Sequence, residues 1–194
     1  MKINLILLAA GDSRRFGSNK LLHEFGGKPM YRHVVDEIAK MRRDVFEKKI
    51  VVSQYDEILD DLTEEGYLAV RNTESRLGIS HSIWLGMEAA EGEAWCFLVG
   101  DQPHLRAETI EKFVEAFQKS GKDCACVQCK GKTGNPCIFS ERYREALLKL
   151  SGDIGGKSII REHMETAFFY EVKEARELED MDVPVKKEEK ACII

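Results

Sequence analysis

The run Ile3-Asn4-Leu5-Ile6-Leu7-Leu8-Ala9-Ala10-Gly11-Asp12-Ser13-Arg14-Arg15-Phe16-Gly17-Ser18-Asn19-Lys20 divides into two parts of different chemistry. Its first part, Ile3 to Leu8, is a near-continuous apolar run closed by small residues, the pattern of a strand covered on both faces. Its second part carries two glycines, two arginines and a lysine into the loop that leaves that strand. Small residues there let backbone amides approach phosphate oxygens, and the cations offset phosphate charge. The spacing excludes the two commonest phosphate cradles. Five residues separate Gly11 from Gly17 and no Gly-Lys-Ser/Thr follows, so this is no Walker loop, and it does not follow the dinucleotide pattern Gly-x-Gly-x-x-Gly. Kinase, GTPase and NAD-enzyme readings lose support. A turn between strand and helix with solvated arginines has the same composition, and glycine content alone does not separate the two.

Outward from this run, Lys49-Ile50-Val51-Val52 and Trp95-Cys96-Phe97-Leu98-Val99 repeat the buried-strand pattern. Met30, Val34, Val35, Ile38 and Met41 share one helical face, which predicts a helix over residues 29–42 with Pro29 at its first position. Ile110, Phe113, Val114 and Phe117 predict a second helix over 107–119. Weaker patterns predict helices over 56–65, 80–91, 141–150 and 156–164. Strands and helices thus alternate, which predicts an α/β fold: a Rossmann-like, open, mostly parallel sheet with right-handed crossovers and helices on both faces. Ligands of such sheets bind at the strands' carboxyl ends. The absence of a repeat, a low-complexity stretch or a Pro- or Ser-rich linker predicts one domain over 1–194, with fraying of the charged tail after Pro184.

The 194 residues include 29 Lys and Arg against 34 Asp and Glu, a net charge of -5, which argues against a broad nucleic-acid face. No apolar run is long enough to span a membrane, and the stretch Ile3 to Ala10 is too short for a signal peptide. Six cysteines, with Cys96 inside an apolar run, read as reduced thiols and point to the cytoplasm. Cys192 stands third from the end, where prenylation needs it fourth. Cys124, Cys126 and Cys129 suit a strand better than a metal site, since no Cys-x-x-Cys pair recurs. His23, His33, His81, His104 and His163 form no metal-spaced pair and read as structural or surface groups.

The loop resembles the signature Leu-Ala-Ala-Gly-x-Ser-x-Arg-x-Gly-x-x-Lys of the MobA/MocA-like NTP transferase family, whose members act on molybdenum cofactor. Ser13, Arg15, Gly17 and Lys20 fill the fixed places, and Phe16 replaces the usual methionine. Further matches follow in order: Gly26-Gly27-Lys28-Pro29-Met30; Asn72, Gly78, Ser80 and Ser82 before Gly86; and Val99-Gly100-Asp101-Gln102-Pro103. Gly131-Lys132-Thr133-Gly134-Asn135-Pro136, Gly152-Asp153-Ile154-Gly155-Gly156-Lys157 and, more loosely, Leu178 to Pro184 complete the set.

The resemblance implies a nucleotide-diphospho-sugar transferase-like fold, with a nucleotide half over about 1–105 and an acceptor half over about 106–194. It implies nucleotide contacts from Leu8, Ala9, Ala10, Gly11, Ser13, Arg15, Lys20, Asn72, Gly78 and Ser80, with Asn72 and Ser80 near the base. Arg15, Lys20 and Asp101 are the implied catalytic residues. Asp101 and Asp182 are the implied ligands of Mg²⁺ or Mn²⁺, and magnesium takes one or two carboxylates, with phosphates and waters completing its shell. Gln102, Pro103, Gly134, Asn135, Pro136, Asp153, Gly155 and Lys157 would meet the acceptor. Plainer readings stand beside these: a turn-forming Asp101, a simple hairpin turn at 131–136, a helix-linking loop at 152–157 and a solvated acidic tail around Asp182.

The implied activity is transfer of CMP from CTP to the terminal phosphate of molybdopterin cofactor, with release of pyrophosphate. Ala10 stands where GTP-using proteins of this kind carry glycine, so CTP is the expected substrate. The implied recipient of the product is a molybdenum hydroxylase of the xanthine dehydrogenase type, with no nucleic-acid or membrane partner. A guanylyl- or sugar-phosphate nucleotidyltransferase of the same fold, or a non-catalytic chaperone that binds nucleotide or cofactor, are the alternatives.

Overall fold

A computed structural model describes residues 1–11 and 19–181. In chain order the elements are β1 (Ile3–Ala9), β2 (Glu24–Phe25), β3 (Lys28–Pro29), α1 (Met30–Lys40), β4 (Lys49–Ser53), α2 (Asp56–Glu64), β5 (Leu68–Arg71) and α3 (Ile79–Ala89). There follow β6 (Ala94–Val99), α4 (Ala107–Ser120), β7 (Cys124–Cys129), β8 (Lys132–Ser140), α5 (Arg144–Leu148), α6 (Lys157–Glu162) and β9 (Phe168–Glu171).

Every residue of β1 is buried, which is why its sequence runs apolar instead of alternating. Ile3, Leu5, Leu7 and Ala9 pack with α1, α2 and α4, whereas Ile6 and Leu8 pack on the opposite face with α3, α5 and α6. The result is three layers, helices covering both faces of a sheet of order β5-β4-β1-β6-β8-β7-β9. Parallel pairing joins β4 to β5, β1 to β4 and to β6, and β7 to β9. Among the described strands of this sheet only β8 runs against its neighbours, β6 and β7, while β2 and β3 form a separate antiparallel pair. The mostly parallel sheet read from the sequence is therefore the sheet observed.

Several boundaries and one element differ from the sequence reading. The helix expected over 29–42 is Met30–Lys40, and Pro29 closes β3 in extended conformation instead of opening the helix. In the 141–150 stretch a 3₁₀ turn takes Glu141–Tyr143 and leaves five residues for α5. Strands β5 and β9 lie at the sheet's edges, half-exposed, so they lack the apolar run that announces a central strand. Gly134, Asn135 and Pro136, expected in a loop, lie within β8. The hairpin turns earlier, at Lys130-Gly131, where both residues have positive φ. Between the pairs Cys126–Cys137 and Val127–Gly134 the register shifts, and Asn135 and Pro136 form the bulge.

Candidate active site

The first segment of the site leaves β1. Leu8 and Ala9 are buried strand residues whose side chains belong to the core, so at these two positions only the backbone is left for a ligand. Ala10 is also buried, while Gly11 is exposed. Ser13 and Arg15 lie outside the described residues, as does Asp182. Three consecutive residues at the end of β4 fasten this segment. Ser53 Oγ donates to the Ala9 carbonyl at 2.8 Å, Gln54 Nε2 to the Ala10 carbonyl at 2.9 Å, and the Tyr55 hydroxyl to the Gly11 carbonyl at 2.9 Å. Sequence reasoning missed all three, because Ser-Gln-Tyr after a strand carries no recognisable motif.

The second segment follows β5. Asn72, 1% exposed, donates from Nδ2 to Ser82 Oγ at 2.9 Å and accepts at Oδ1 from the Glu74 amide at 2.9 Å. These bonds tie the end of β5 to the first turn of α3, so the amide group expected near the base is engaged within the protein. Gly78 precedes α3 with φ +86, and a Cβ built there would stand 2.3 Å from the carbonyl carbon and oxygen of Gly152 and 2.7 Å from Asp153 Oδ1. Only glycine permits that approach. The Ser80 amide donates to the Gly152 carbonyl at 3.2 Å, and a Cβ on Gly155 would touch Ile79. Two groups of residues that sequence assigns to different ligands, Gly78 and Ser80 on one hand, Asp153 and Gly155 on the other, are thus in one contact.

The third segment follows β6. Lys20 Nζ and Asp101 Oδ2 form an ion pair at 2.6 Å, with side chains 12% and 21% exposed. Lys20 sits in a turn that Asn19 organises: its Oδ1 accepts from the Leu21 amide at 3.0 Å, and its carbonyl accepts from the His23 amide at 3.1 Å. The Asp101 carbonyl accepts from the Met181 amide at 2.9 Å. Sequence reading gives Lys20 to phosphate and Asp101 to a metal separately, whereas the fold joins them across 81 positions. Asp101 offers a hard, partly exposed carboxylate at a strand's end, which fits Mg²⁺ or Mn²⁺ held by one carboxylate and a ligand's phosphates. Among the described residues no three His, Cys, Asp or Glu gather as a metal cluster.

Gln102 and Pro103 are buried rather than presented at a surface. Gln102 Nε2 donates to the Leu178 carbonyl at 3.3 Å, and its Oε1 is buried without a partner among the described residues. A Cβ on Gly134 would stand 3.2 Å from Leu178 Cβ, so the turn Ala175–Leu178 packs over both positions. Pro136 is buried and Asn135 half-buried, the Asn135 Oδ1 accepting from the Cys137 thiol at 3.6 Å. Because β8 is antiparallel and Cys137 pairs with Phe97, its first residues stand beside the carboxyl end of β6, at the same end of the sheet as Asp101.

Lys157 opens α6, and its positive charge reaches the thiols of Cys126 and Cys137, favouring their ionised forms. The hydrogen bond between these thiols lowers Cys126 against the cost of its burial. It raises Cys137 well above the ordinary range, with burial adding to the rise. Burial alone lifts Cys96.

Residues 5–167 match the family model of the MobA-like NTP transferase domain. A Pyrococcus horikoshii protein named a probable molybdenum cofactor guanylyltransferase is 33% identical over 156 residues, covering 76% of this chain and 74% of that one. The bifunctional protein GlmU of Shouchella clausii is 31% identical over 122 residues, which is 60% of this chain and 26% of that longer protein. Among solved structures, a nucleotidyl transferase from Methanothermobacter thermautotroptrophicus superposes with a TM-score of 0.76 at 20% identity, covering 94% of this chain and 92% of that one. Molybdopterin-guanine dinucleotide biosynthesis protein A from Archaeoglobus fulgidus gives 0.69 at 15% identity, covering 93% of each. A Mycobacterium tuberculosis protein solved with manganese gives 0.72 at 16% identity, covering 89% of each. At these identities the structural likeness is one of fold.

Proposed function

Because this chain belongs to the MobA-like NTP transferase family and is a nucleotidyltransferase, we propose that it transfers CMP from CTP to the terminal phosphate of molybdopterin cofactor. An oxygen of that phosphate attacks the α-phosphorus of CTP. The bond from the α-phosphorus to the bridging oxygen breaks, and pyrophosphate leaves with the electron pair.

The observation that carries the reading is the Lys20–Asp101 pair at the carboxyl end of the sheet. Nucleotidyl transfer asks a protein chiefly to align two anionic reactants and offset their charge, with little covalent work of its own. Backbone amides from Ala10 to Arg15 cradle the triphosphate. Arg15 and Lys20 neutralise its charge, and Asp101 keeps the Lys20 ammonium aimed at the rim until phosphate arrives. A divalent cation, magnesium or manganese, offsets triphosphate charge when bound, with Asp101 and Asp182 as the carboxylates that would hold it. On the acceptor side Lys157, Asn135 and the Asp153–Gly155 loop receive the pterin phosphate. Leu8, Ala9, Gln102, Pro103, Gly134 and Pro136 contribute through backbone or by fixing their neighbours, since their side chains are buried or absent. Residues 1–105 then serve the nucleotide and 106–194 the acceptor, with the Gly78–Gly152 contact joining the halves.

The choice of CTP rests on Ala10, and the relative named a guanylyltransferase favours a second reading in which GMP is transferred. No helix among the described residues is long and apolar enough to cross a membrane. We place the reaction in the cytoplasm, with a molybdenum hydroxylase of the xanthine dehydrogenase type receiving the product. Pyrophosphate release, measured with each NTP in turn plus Mg²⁺ and molybdopterin cofactor, tests the proposal. Release with CTP supports it and faster release with GTP supports the second reading. Nucleotide binding without release from any NTP identifies a silent binder instead.

A further inference from the structure

Ser53, Gln54 and Tyr55 at the end of β4 hold the carbonyls of Ala9, Ala10 and Gly11 at the end of β1, and the Gln54 side chain also reaches the turn after β5. Gln54 Nε2 donates to the Ala10 carbonyl while its Oε1 accepts from Ser75 Oγ at 3.1 Å. Ser75 opens the short 3₁₀ turn that leads to Gly78 and α3, and Asn72 anchors the other end of that stretch through Ser82. One half-buried amide therefore bridges the Ala10 segment and the stretch 72–80, the two walls that the nucleotide reading assigns to the base. Ser53 Oγ and the Tyr55 hydroxyl bond the Ala9 and Gly11 carbonyls, and Gln54 Nε2 also donates to the Tyr55 hydroxyl at 3.2 Å.

We propose that Gln54 is a positioning residue for base selection, fixing the gap between the Ala10 wall and the 72–80 wall. The proposal rests on the nucleotide reading above and adds to it the group that sets the width of the slot. In a trans peptide the C=O and N–H point to opposite sides. Drawing the Ala9 and Ala10 carbonyls toward β4 therefore turns the Ala10 and Gly11 amides the other way, toward β6 and Asp101. The bridge needs a donor and an acceptor on one planar group at this reach, which glutamine supplies. Glutamate keeps the acceptor for Ser75 but sets a carboxylate against the Ala10 carbonyl, and alanine removes both ends.

The test is equilibrium titration of the full chain with Mg·CTP and with Mg·GTP, for wild type, Gln54→Ala, Gln54→Glu and Ser75→Ala, each with its thermal unfolding midpoint. One or two lost hydrogen bonds predict CTP binding roughly 5- to 30-fold weaker in Gln54→Ala, with the ratio of CTP to GTP affinity moving several-fold toward unity. Gln54→Glu falls at least as far. Ser75→Ala, which keeps the bond to Ala10, shifts the ratio in the same direction by about 2- to 5-fold. A merely structural role lowers the unfolding midpoint and leaves the ratio where it was. Wild-type affinity and ratio in folded Gln54→Ala overturn the proposal, and if that variant fails to fold, an unchanged ratio in Ser75→Ala does so. A wild-type chain that binds neither nucleotide overturns the nucleotide reading itself, and this inference with it.

Discussion

Lys20 and Asp101 are two charges that the sequence announces in separate motifs and the fold makes into one device. Each reads as functional by itself: the lysine closes a glycine loop, and the aspartate ends a buried strand. Nothing in either stretch says that they touch, because the contact depends on β1 and β6 lying side by side. Neutralising one partner of a pair this little exposed takes a compensating charge away from the other. Asp101→Asn should therefore lose most turnover while the chain stays folded, at a cost on the order of 1–3 kcal/mol in stability, below the range for a fully buried pair. Lys20→Ala should lose about 10² to 10³ in rate, as for one preorganised electrostatic group. Steady-state rates at saturating Mg²⁺ beside urea titrations check both, and a near wild-type rate in Asp101→Asn would sink the role given to it. Gly78 makes the same point through shape. Its positive φ and the Gly152 carbonyl 2.3 Å from any Cβ mean that Gly78→Ala must push the 152–155 loop away. That substitution should lower the unfolding midpoint by several degrees. An unchanged midpoint would show that the loop yields at no cost.

Among the elements, those covered on both faces were legible and those at the margins were not. Strands β1, β4 and β6 and helices α1 and α4 follow from apolar runs and helical spacing, because burial on one face or two writes that pattern. Edge strands β5 and β9 are half-exposed and leave no such trace. Gly134 and Pro136 look like turn residues, yet here both lie within β8, Pro136 in its bulge, and the turn comes earlier, at Lys130-Gly131. The alternating cysteines of β7 were legible as a strand, and Cys124, Cys126 and Cys129 are all buried. Replacing those three together by alanine should lower stability by about 1–3 kcal/mol through lost packing and leave activity and metal content unchanged. Elemental analysis of purified wild type and variant checks this, and stoichiometric zinc or iron lost in the variant would overturn it.

At the scale of the molecule, an excess of acidic side chains, net -5, coexists with a site proposed for anionic reactants, so local geometry must do what overall charge does not. The sequence motifs put forward Ala10, Asn72 and Asp101, which follow the carboxyl ends of β1, β5 and β6. They did not reveal the Ser53-Gln54-Tyr55 fastening, whose partners are backbone carbonyls that any residue provides. On the proposed nucleotide reading that fastening bears on base choice, since it holds the carbonyl of the buried Ala10, where a methyl would narrow the slot for the base. A slot acting by shape discriminates by about 1–3 kcal/mol, so Ala10→Gly should raise relative GTP use without abolishing CTP use. Competition between equal CTP and GTP, scored by product, checks this, and an unchanged ratio would contradict it. The central claim is the transfer itself. CTP labelled at the α-phosphorus, incubated with the wild-type chain, Mg²⁺ and molybdopterin cofactor, reports it most directly. The account predicts that the label moves onto the cofactor as CMP, in step with pyrophosphate release, and that Asp101→Asn nearly abolishes both. Label remaining in CTP, or appearing only as free CMP, would contradict it.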